Sequence, residues 1–412
     1  SGVIGTEHGS RFFGSAGVVL ENRPGSDFAF YERGEFLLFR PDTIEVHNPD
    51  SSGRYVPGTR VHAWKDGLGI FELEHAWLAF RLPWQVRLAL GRDRYRWGPG
   101  YTGSVMLGDE APALDHFSLV ADYGRFNYQS LTAYLSRWRG IHRFASWQRV
   151  ELLLWDRLRL GGVLSNVYAW DSTQTLSFFG MMNPLIPIYL EVANSGHHDN
   201  LLVGWDAVLD LAPFQLYGTL FLDNYEFIKR PQVPNATAVQ AGARWAPNLP
   251  LDLRTEYVGI APFTYYHRIH HVMYENFGVP MGHGLGPDAE LFDFRLGLYP
   301  LEPVRLVPFG RLTRRGYYNR GDHERKSWLS RPGEWVPERY PSAGKDAPEQ
   351  LPFLEDQEVE SELRFGLEAD YRLWRDLRLL GDFSWYRLEH AEGVTGESRT
   401  GYGFGFRLEY RY

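Results

Sequence analysis

The stretch GYGFGFRLEYRY (401–412) decides the fold. Tyr402, Phe404, Phe406, Leu408, Tyr410 and Tyr412 share one parity, and Gly403, Gly405, Arg407, Glu409 and Arg411 share the other. Side chains alternate faces in an extended chain, so this is a strand with one apolar face and one face of charge and glycine. A strand of a membrane barrel has a direct reason to read this way: lipid outside, water inside, and aromatic rings at the interfaces. ELRFGLEADYRL (362–373) repeats the pattern. Leu363, Phe365, Leu367, Ala369, Tyr371 and Leu373 face one way; Glu362, Arg364, Gly366, Glu368, Asp370 and Arg372 face the other. Charges of both signs on the second face call for water or partner charges.

A soluble sandwich shows similar alternation, so strand length and connections decide between the two. The strand candidates run about 10 to 15 residues, against about 5 to 6 in globular sheets. A tilted membrane-spanning strand needs about 9 to 11. The connections alternate as well. Short ones fall at Leu82-Pro83-Trp84, Tyr123-Gly124, Asp156, Ala212-Pro213, Ala246 to Pro250, Tyr299 to Leu301 and Trp374-Arg375. Long ones fall at 41–67, 96–112, 168–199, 226–234, 268–286 and 313–356. Tight turns at one end and long loops at the other are the layout of an all-β, antiparallel outer-membrane barrel. The expected size is 16–18 strands, with 18 favoured. The strand candidates come to an odd number, whereas bacterial single-chain barrels have an even one. A missing strand is therefore expected in 41–67 or 168–199. Residues 1–26 read as a periplasmic segment or first strand, and 27–412 as one barrel with inward-folded and extracellular loops.

The bulk numbers agree. The 412 residues are 44% hydrophobic with a mean hydropathy of -0.36. No run of about 18 apolar residues marks a transmembrane helix, and half-apolar barrel strands average to soluble-like hydropathy. Aromatics make up 16%, as interfacial girdles or a carbohydrate-binding surface would require. There is no cysteine, which suits passage through an oxidising periplasm. A net charge of -8 argues against a nucleic-acid partner. Ser1 stands where a Met or a charged-then-apolar leader would, so the chain is expected to be the mature form of an exported precursor.

GRDRYRWGPGYTG (91–103) sets Arg92, Arg94 and Arg96 on one parity and Asp93, Tyr95 and Trp97 on the other. If Val86, Leu88 and Leu90 face lipid, strict parity sends these arginines there too. A strand leaving the membrane near Gly91, with Arg and Trp folding into the mouth or lumen, avoids that cost. The stretch RRGYYNRGDHERKSWLSRPGEWVPERYPSAGKDAPEQ (314–350) puts arginine and lysine beside tyrosine and tryptophan. That composition suits a solvated outer loop or the grip of an acidic sugar polymer, guanidinium on carboxylate and ring on sugar face. His197-His198-Asp199 and His270-His271 contain metal-ligand types, but adjacent histidines in an extended chain point apart. His283 and Asp288 accompany no nucleophile elbow or spaced Ser-His-Asp set. No cofactor motif occurs, and no enzymatic activity is expected.

The middle of the chain resembles the Wzi-type capsule assembly family of outer-membrane proteins. Six motifs carry the likeness in order: Gly91-Arg92 with Trp97-Gly98-Pro99-Gly100, His142-Arg143, MMNPLIPIYLE (181–191), DNLLVGWDA (199–207) followed by LYG (216–218) and Asp223, VPMGHGLGPDAE (279–290), and Arg315-Gly316. They span about 90–316. The resemblance implies an 18-stranded outer-membrane barrel that holds capsular or exopolysaccharide at the bacterial surface, as a lectin rather than an enzyme. It implies surface polysaccharide, outer-membrane lipid and proteins of an export or outer-membrane complex as partners. The candidate polysaccharide contacts are Arg92, Arg94, Arg96, Trp97, His142, Arg143, Arg314, Arg315, Tyr317 and Trp328. The glycines of 282–286 are expected to allow tight turns in a loop folded into the barrel, with Asp288 leading into the next strand. Family members carry a helical N-terminal segment that helps block the barrel from below. Residues 1–26 are glycine-rich and lack a helical period, so inward loops such as 171–199 or 268–286 are the expected plug. The alternative reading is a diffusion channel, or an accessory barrel of a larger assembly.

Overall fold

The computed structural model describes residues 2–6, 9–22, 28–39, 70–137, 140–170, 187–188, 190, 199–223, 236–267, 270–277, 279–316, 354, 359–375, 377–391 and 394–410. In chain order the strands are β1 (Gly2–Thr6), β2 (Gly9–Asn22), β3 (Phe28–Phe39), β4 (Ile70–Leu82), β5 (Val86–Asp93), β6 (Leu114–Asp122) and β7 (Phe126–Tyr134). They continue with β8 (His142–Leu154), β9 (Leu158–Trp170), β10 (Asn200–Leu211), β11 (Phe214–Asp223), β12 (Ala236–Trp245) and β13 (Leu251–Ile260). Last come β14 (Glu275–Asn276), β15 (Val279–Pro280), β16 (Ala289–Leu301), β17 (Val304–Arg315), β18 (Glu360–Trp374), β19 (Leu377–Glu389) and β20 (Ser398–Tyr410).

All except β14 and β15 belong to one 18-stranded antiparallel sheet in which each strand pairs with its neighbours in sequence. β14 and β15 form a separate two-stranded ribbon between β13 and β16. The first strand lies alongside the last, so the sheet closes on itself. Closure leaves no edge of unpaired backbone groups, which a strand-built structure needs in lipid. The strand that completes the even number is β1, GVIGT, rather than one within 41–67 or 168–199. Residues 41–67 and 171–186 lie outside the described residues.

The alternation sorts onto two faces as the sequence requires. On β20, Tyr402, Phe404, Phe406 and Leu408 are exposed on the outer wall. Trp385 and Phe383 of β19 stand directly opposite Tyr402 and Phe404. Phe365 of β18 stacks on Trp385 at 6.3 Å between ring centroids. Such cross-strand pairs on an apolar face are the unit of sheet stabilisation. At the short-turn end, Trp84, Trp155 and Trp374 are 81%, 77% and 75% exposed, with Tyr123 and Phe214 at the same level of the wall. This is an interfacial aromatic girdle. The turn expected at Tyr299 to Leu301 falls two residues later: β16 runs through Leu301 and its register against β17 slips between Leu298 and Leu301.

The inner face has two characters. On β17 to β20 it carries Arg311, Arg364, Glu362, Glu368, Asp370 and Asp382, as the parity reading expects. On β7 to β13 and β16 it is apolar toward the long-loop end, where Leu131, Ala133, Trp147, Val163, Val167, Leu202, Phe221, Val258, Ile260 and Leu291 are buried in one cluster. A barrel wall with lipid on one side buries apolar groups on the other only if something fills the lumen there.

Candidate functional site

Two loops fill it. The first leaves β5 at Gly91, whose φ of +140° suits glycine. A Cβ there would sit 2.1 Å from the carbonyl oxygen of Ala76. Arg92 stays on the outer wall, where its Nε lies 3.0 Å from Asp115 of β6, directly opposite. The parity reading therefore holds for this residue, and an ion pair rather than a register flip accommodates it. Beyond Asp93 the chain turns inward. Trp97 is buried and pairs with Leu107 across the loop, its N–H donating to the Leu107 carbonyl at 2.9 Å.

Irregular buried backbone must still satisfy its carbonyls, and the arginines of this segment do so. Arg94 Nη1 donates to the carbonyls of Asp109 and Ala111 at 2.7 and 3.0 Å. Arg96 Nη2 donates to the carbonyls of Gly100 and Gly103. Val105, Met106 and Leu107 enter the apolar cluster fully buried. At the loop tip Glu256 of β13 accepts the backbone N–H groups of Tyr101 and Thr102 at 2.8 and 3.0 Å, and the hydroxyls of Thr102 and Tyr217. Tyr101 Oη donates to Asp293 Oδ1 at 2.7 Å.

The second loop, 261–288, folds against the first. Tyr265 and Tyr274 donate their hydroxyls to the carbonyls of Val105 and Met106 at 2.8 and 2.6 Å, and Trp147 Nε1 donates to Tyr274 Oη at 2.8 Å. Gly108 N–H donates to the Met281 carbonyl at 2.7 Å. A Cβ on Gly108 would meet the Gly282 carbonyl oxygen at 2.3 Å, so the two backbones approach as closely as glycine permits. A 3-10 turn at His270–Val272 and the β14–β15 ribbon present their carbonyls to Arg143. That guanidinium, 1% exposed, donates to the carbonyls of His271, Met273 and Glu275, to Ser136 Oγ and to Glu275 Oε1, at 2.8 to 3.1 Å. All five of its N–H groups are thereby engaged. Burial pushes the Glu275 carboxyl up, against the pull of Arg143.

Burial also raises the phenols of Tyr101, Tyr265 and Tyr274 above their ordinary range. It holds His283 down at about 3, with the charges of Arg311 and Arg96 acting the same way. Leu285 N–H donates to His283 Nδ1 at 3.2 Å, leaving Nε2 as the donor toward Thr102 Oγ1. The Thr102 hydroxyl in turn donates to Glu256. This chain orients a neutral imidazole; it does not activate a nucleophile. Among the described residues no group of three or more metal-ligating side chains occurs.

The structure thus places the candidate contacts in different settings. Arg94, Arg96, Trp97 and Arg143 are internal to the plug and its wall. His142 is half-buried with its Nδ1 3.1 Å from Tyr134 Oη. Arg314 donates to Glu290 at 2.6 Å, and Arg315 lies 3.8 Å from Glu360, both partly exposed at the long-loop end of β17. Tyr317 and Trp328 lie outside the described residues. The 268–286 loop is a plug element, and Asp288 leads directly into β16. The 94–113 segment, read from sequence only as mouth or lumen, supplies the other half.

Beneath the first loop, toward the short-turn end, lies a cavity of about 300 Å³ lined by Tyr101, Thr102, Asp252, Arg254, Arg295, Arg305 and Arg311. Arg295 is sandwiched between the rings of Tyr101 and Phe309, at 6.0 and 5.2 Å.

No protein-family model matches the chain, and no curated protein matches it. Solved structures do. Wzi of Escherichia coli, described as a carbohydrate-binding β-barrel involved in group 1 capsule assembly, superposes with a TM-score of 0.61 at 15% identity, covering 97% of this chain and 79% of that one. OccD3 (OpdP) of Pseudomonas aeruginosa superposes at 0.53 with 8% identity, covering 100% and 90%. OccAB2 of Acinetobacter baumannii superposes at 0.51 with 9% identity, covering 99% and 94%. The chain therefore has the fold of a bacterial outer-membrane β-barrel.

Proposed function

We propose that this barrel is of the Wzi type: a plugged outer-membrane protein that binds capsular or exopolysaccharide at the cell surface and assists its attachment, assembly or export. It acts as a lectin, without catalysis. The observation that carries this reading is the plug, two inward loops fixed to the wall by Glu256 and Arg143 and packed with an apolar core. A lumen filled in this way suits a protein whose work is done on its outer surface. The ordered motifs of 90–316 and the arginine- and aromatic-rich stretch 314–350 support the same reading.

The second reading, a diffusion channel, is favoured by the charged inner face of β17 to β20. An accessory role within a larger outer-membrane assembly is the third, which stoichiometric co-purifying partners would favour. Planar-bilayer recording with and without surface polysaccharide from the same cell separates the first two. The plugged lectin gives a nearly silent barrel that binds the polymer. Large steady openings indifferent to polymer would replace it with the channel.

A further inference from the structure

The arginine-lined cavity beneath the plug carries charges that do not balance. Arg244 of β12 stands directly opposite Arg254 of β13, and Arg254 directly opposite Arg295 of β16. Like charges in this relation destabilise a sheet unless something offsets them. Three carboxylates do so in part. Asp252 lies 3.2 Å from Arg254 and 3.6 Å from Arg244. Asp293 is shared between Arg295 at 3.0 Å and Arg311 at 2.7 Å, and Glu368 reaches Arg295 at 2.8 Å. Arg305 stands directly opposite Asp370 of β18, which pairs with Arg378 at 3.6 Å, and its side chain hydrogen-bonds the Tyr299 hydroxyl; its Nε is buried without a hydrogen-bond partner. Arg244, Arg254, Arg295, Arg305, Arg311 and Arg378 therefore face Asp252, Asp293, Glu368 and Asp370, six guanidiniums to four carboxylates. The remaining carboxylate at the roof, Glu256, is turned to the loop N–H groups and hydroxyls and makes no ion pair.

We propose that this cavity is an oxyanion-binding site that accepts a carboxylate or phosphate group presented from the short-turn mouth. Arg305 is its principal donor, and Arg311 and Arg254 flank it. Guanidinium forks from separate strands converge on a space the size of a small ligand. The Tyr101 ring on the roof and Phe309 on the wall stiffen Arg295 from either side. Asp252 and Arg305 stand next to the turns at 246–250 and 302–303, so the site opens toward the periplasmic end. It is independent of polymer binding at the outer loops, and either can fail without the other.

The test is calorimetric titration of the intact, detergent-purified barrel at low salt with glucuronate, inorganic phosphate and glucose. Arg305→Gln and the control Arg81→Gln, a lumen arginine outside the cavity, are titrated alongside, and folding is checked by gel mobility before and after heating. The expected result is binding of at least one oxyanion and not of glucose, weakened about tenfold by Arg305→Gln and unchanged by Arg81→Gln. Preference for glucuronate identifies a carboxylate ligand, and preference for phosphate a phosphorylated one. Binding of neither oxyanion, equal binding of glucose, or full retention in folded Arg305→Gln overturns the proposal.

Discussion

Glu256 grips Thr102 twice, its Oε1 accepting both the backbone N–H and the hydroxyl of that one residue. The acceptor belongs to a rigid wall strand and the donors to a loop tip, so the contact works as a latch. Hydrogen bonds to a charged group contribute about 1.5–3 kcal/mol each when desolvated. Glu256→Gln keeps the shape and removes the charge. It should shift the loop toward its released form by about 2 kcal/mol. Single-channel recording reads this as brief openings that the parent protein lacks; an unchanged silent trace would mean the latch is not what holds the loop.

Arg143 holds the other loop by a different device, a buried guanidinium distributing its donors over three carbonyls, a hydroxyl and a carboxylate. Arg143→Ala leaves Glu275 buried without its counter-charge, a loss of about 3–5 kcal/mol. Limited proteolysis should then cut within 268–278 while the barrel stays intact on a gel. Arg143→Lys should recover little, because an ammonium cannot span the same acceptors.

His283 gives the plug a pH dependence of definite sign. The packed loop holds the imidazole neutral, with its pKa down at about 3, against 6.5 when exposed. Its contribution is complete above about 6.5 and is lost as pH falls toward about 3, because the released loop takes up a proton that the packed loop refuses. At pH 5 the loss is about 2 kcal/mol. Amide exchange across 279–286 should accelerate between pH 7 and pH 5, after correction for intrinsic rates, and His283→Asn should flatten the response.

The two faces of the wall are separable by charge insertion. Phe404 stands mid-strand on the outer face of β20, opposite Phe383. Phe404→Arg should cost about 2–4 kcal/mol in lipid. Asn127 lines an open cavity of about 450 Å³ inside the barrel, and Asn127→Lys should cost less than about 1 kcal/mol. Urea unfolding from lipid vesicles measures both, and equal losses would contradict the assignment of faces.

The outer face was legible in the sequence because lipid imposes a single rule on it. Phe365, Leu367, Phe404 and Phe406 could be assigned from parity alone. The plug was only half legible. LLVGWDAVLDL (201–211) is apolar on both parities, with Leu202 and Val208 buried inward and Trp205 exposed outward. Such a strand reads the same whether its second face meets a sheet, a helix or a folded loop. Arg94 and Arg96 read as ligand contacts because loop arginines beside aromatics often are, and Arg143 entered with the His142-Arg143 pair of the family resemblance. The deciding fact, a set of buried carbonyls needing donors, appears only once the loops are folded. The glycines at 98, 100, 103 and 108 were the available signal that this backbone packs against something. β1 escaped notice because five residues with two glycines carry too short an alternation to register.

The plug joins distant parts of the chain, and that orders the events of assembly. Tyr101 and Thr102 precede β6, yet their partners Glu256 and Asp293 lie 155 and 192 residues downstream. Val105, Met106 and Leu107 are thus far in sequence from much of the wall that buries them, which includes Phe221, Val258, Ile260 and Leu291. The loop stays an unsheltered apolar segment until β13 and β16 have joined the sheet, and only the nearly complete barrel can take it in. Closing contacts of such long range are slow to form. Docking of the plug therefore depends on a wall already assembled around it, so that a native plug implies a closed barrel.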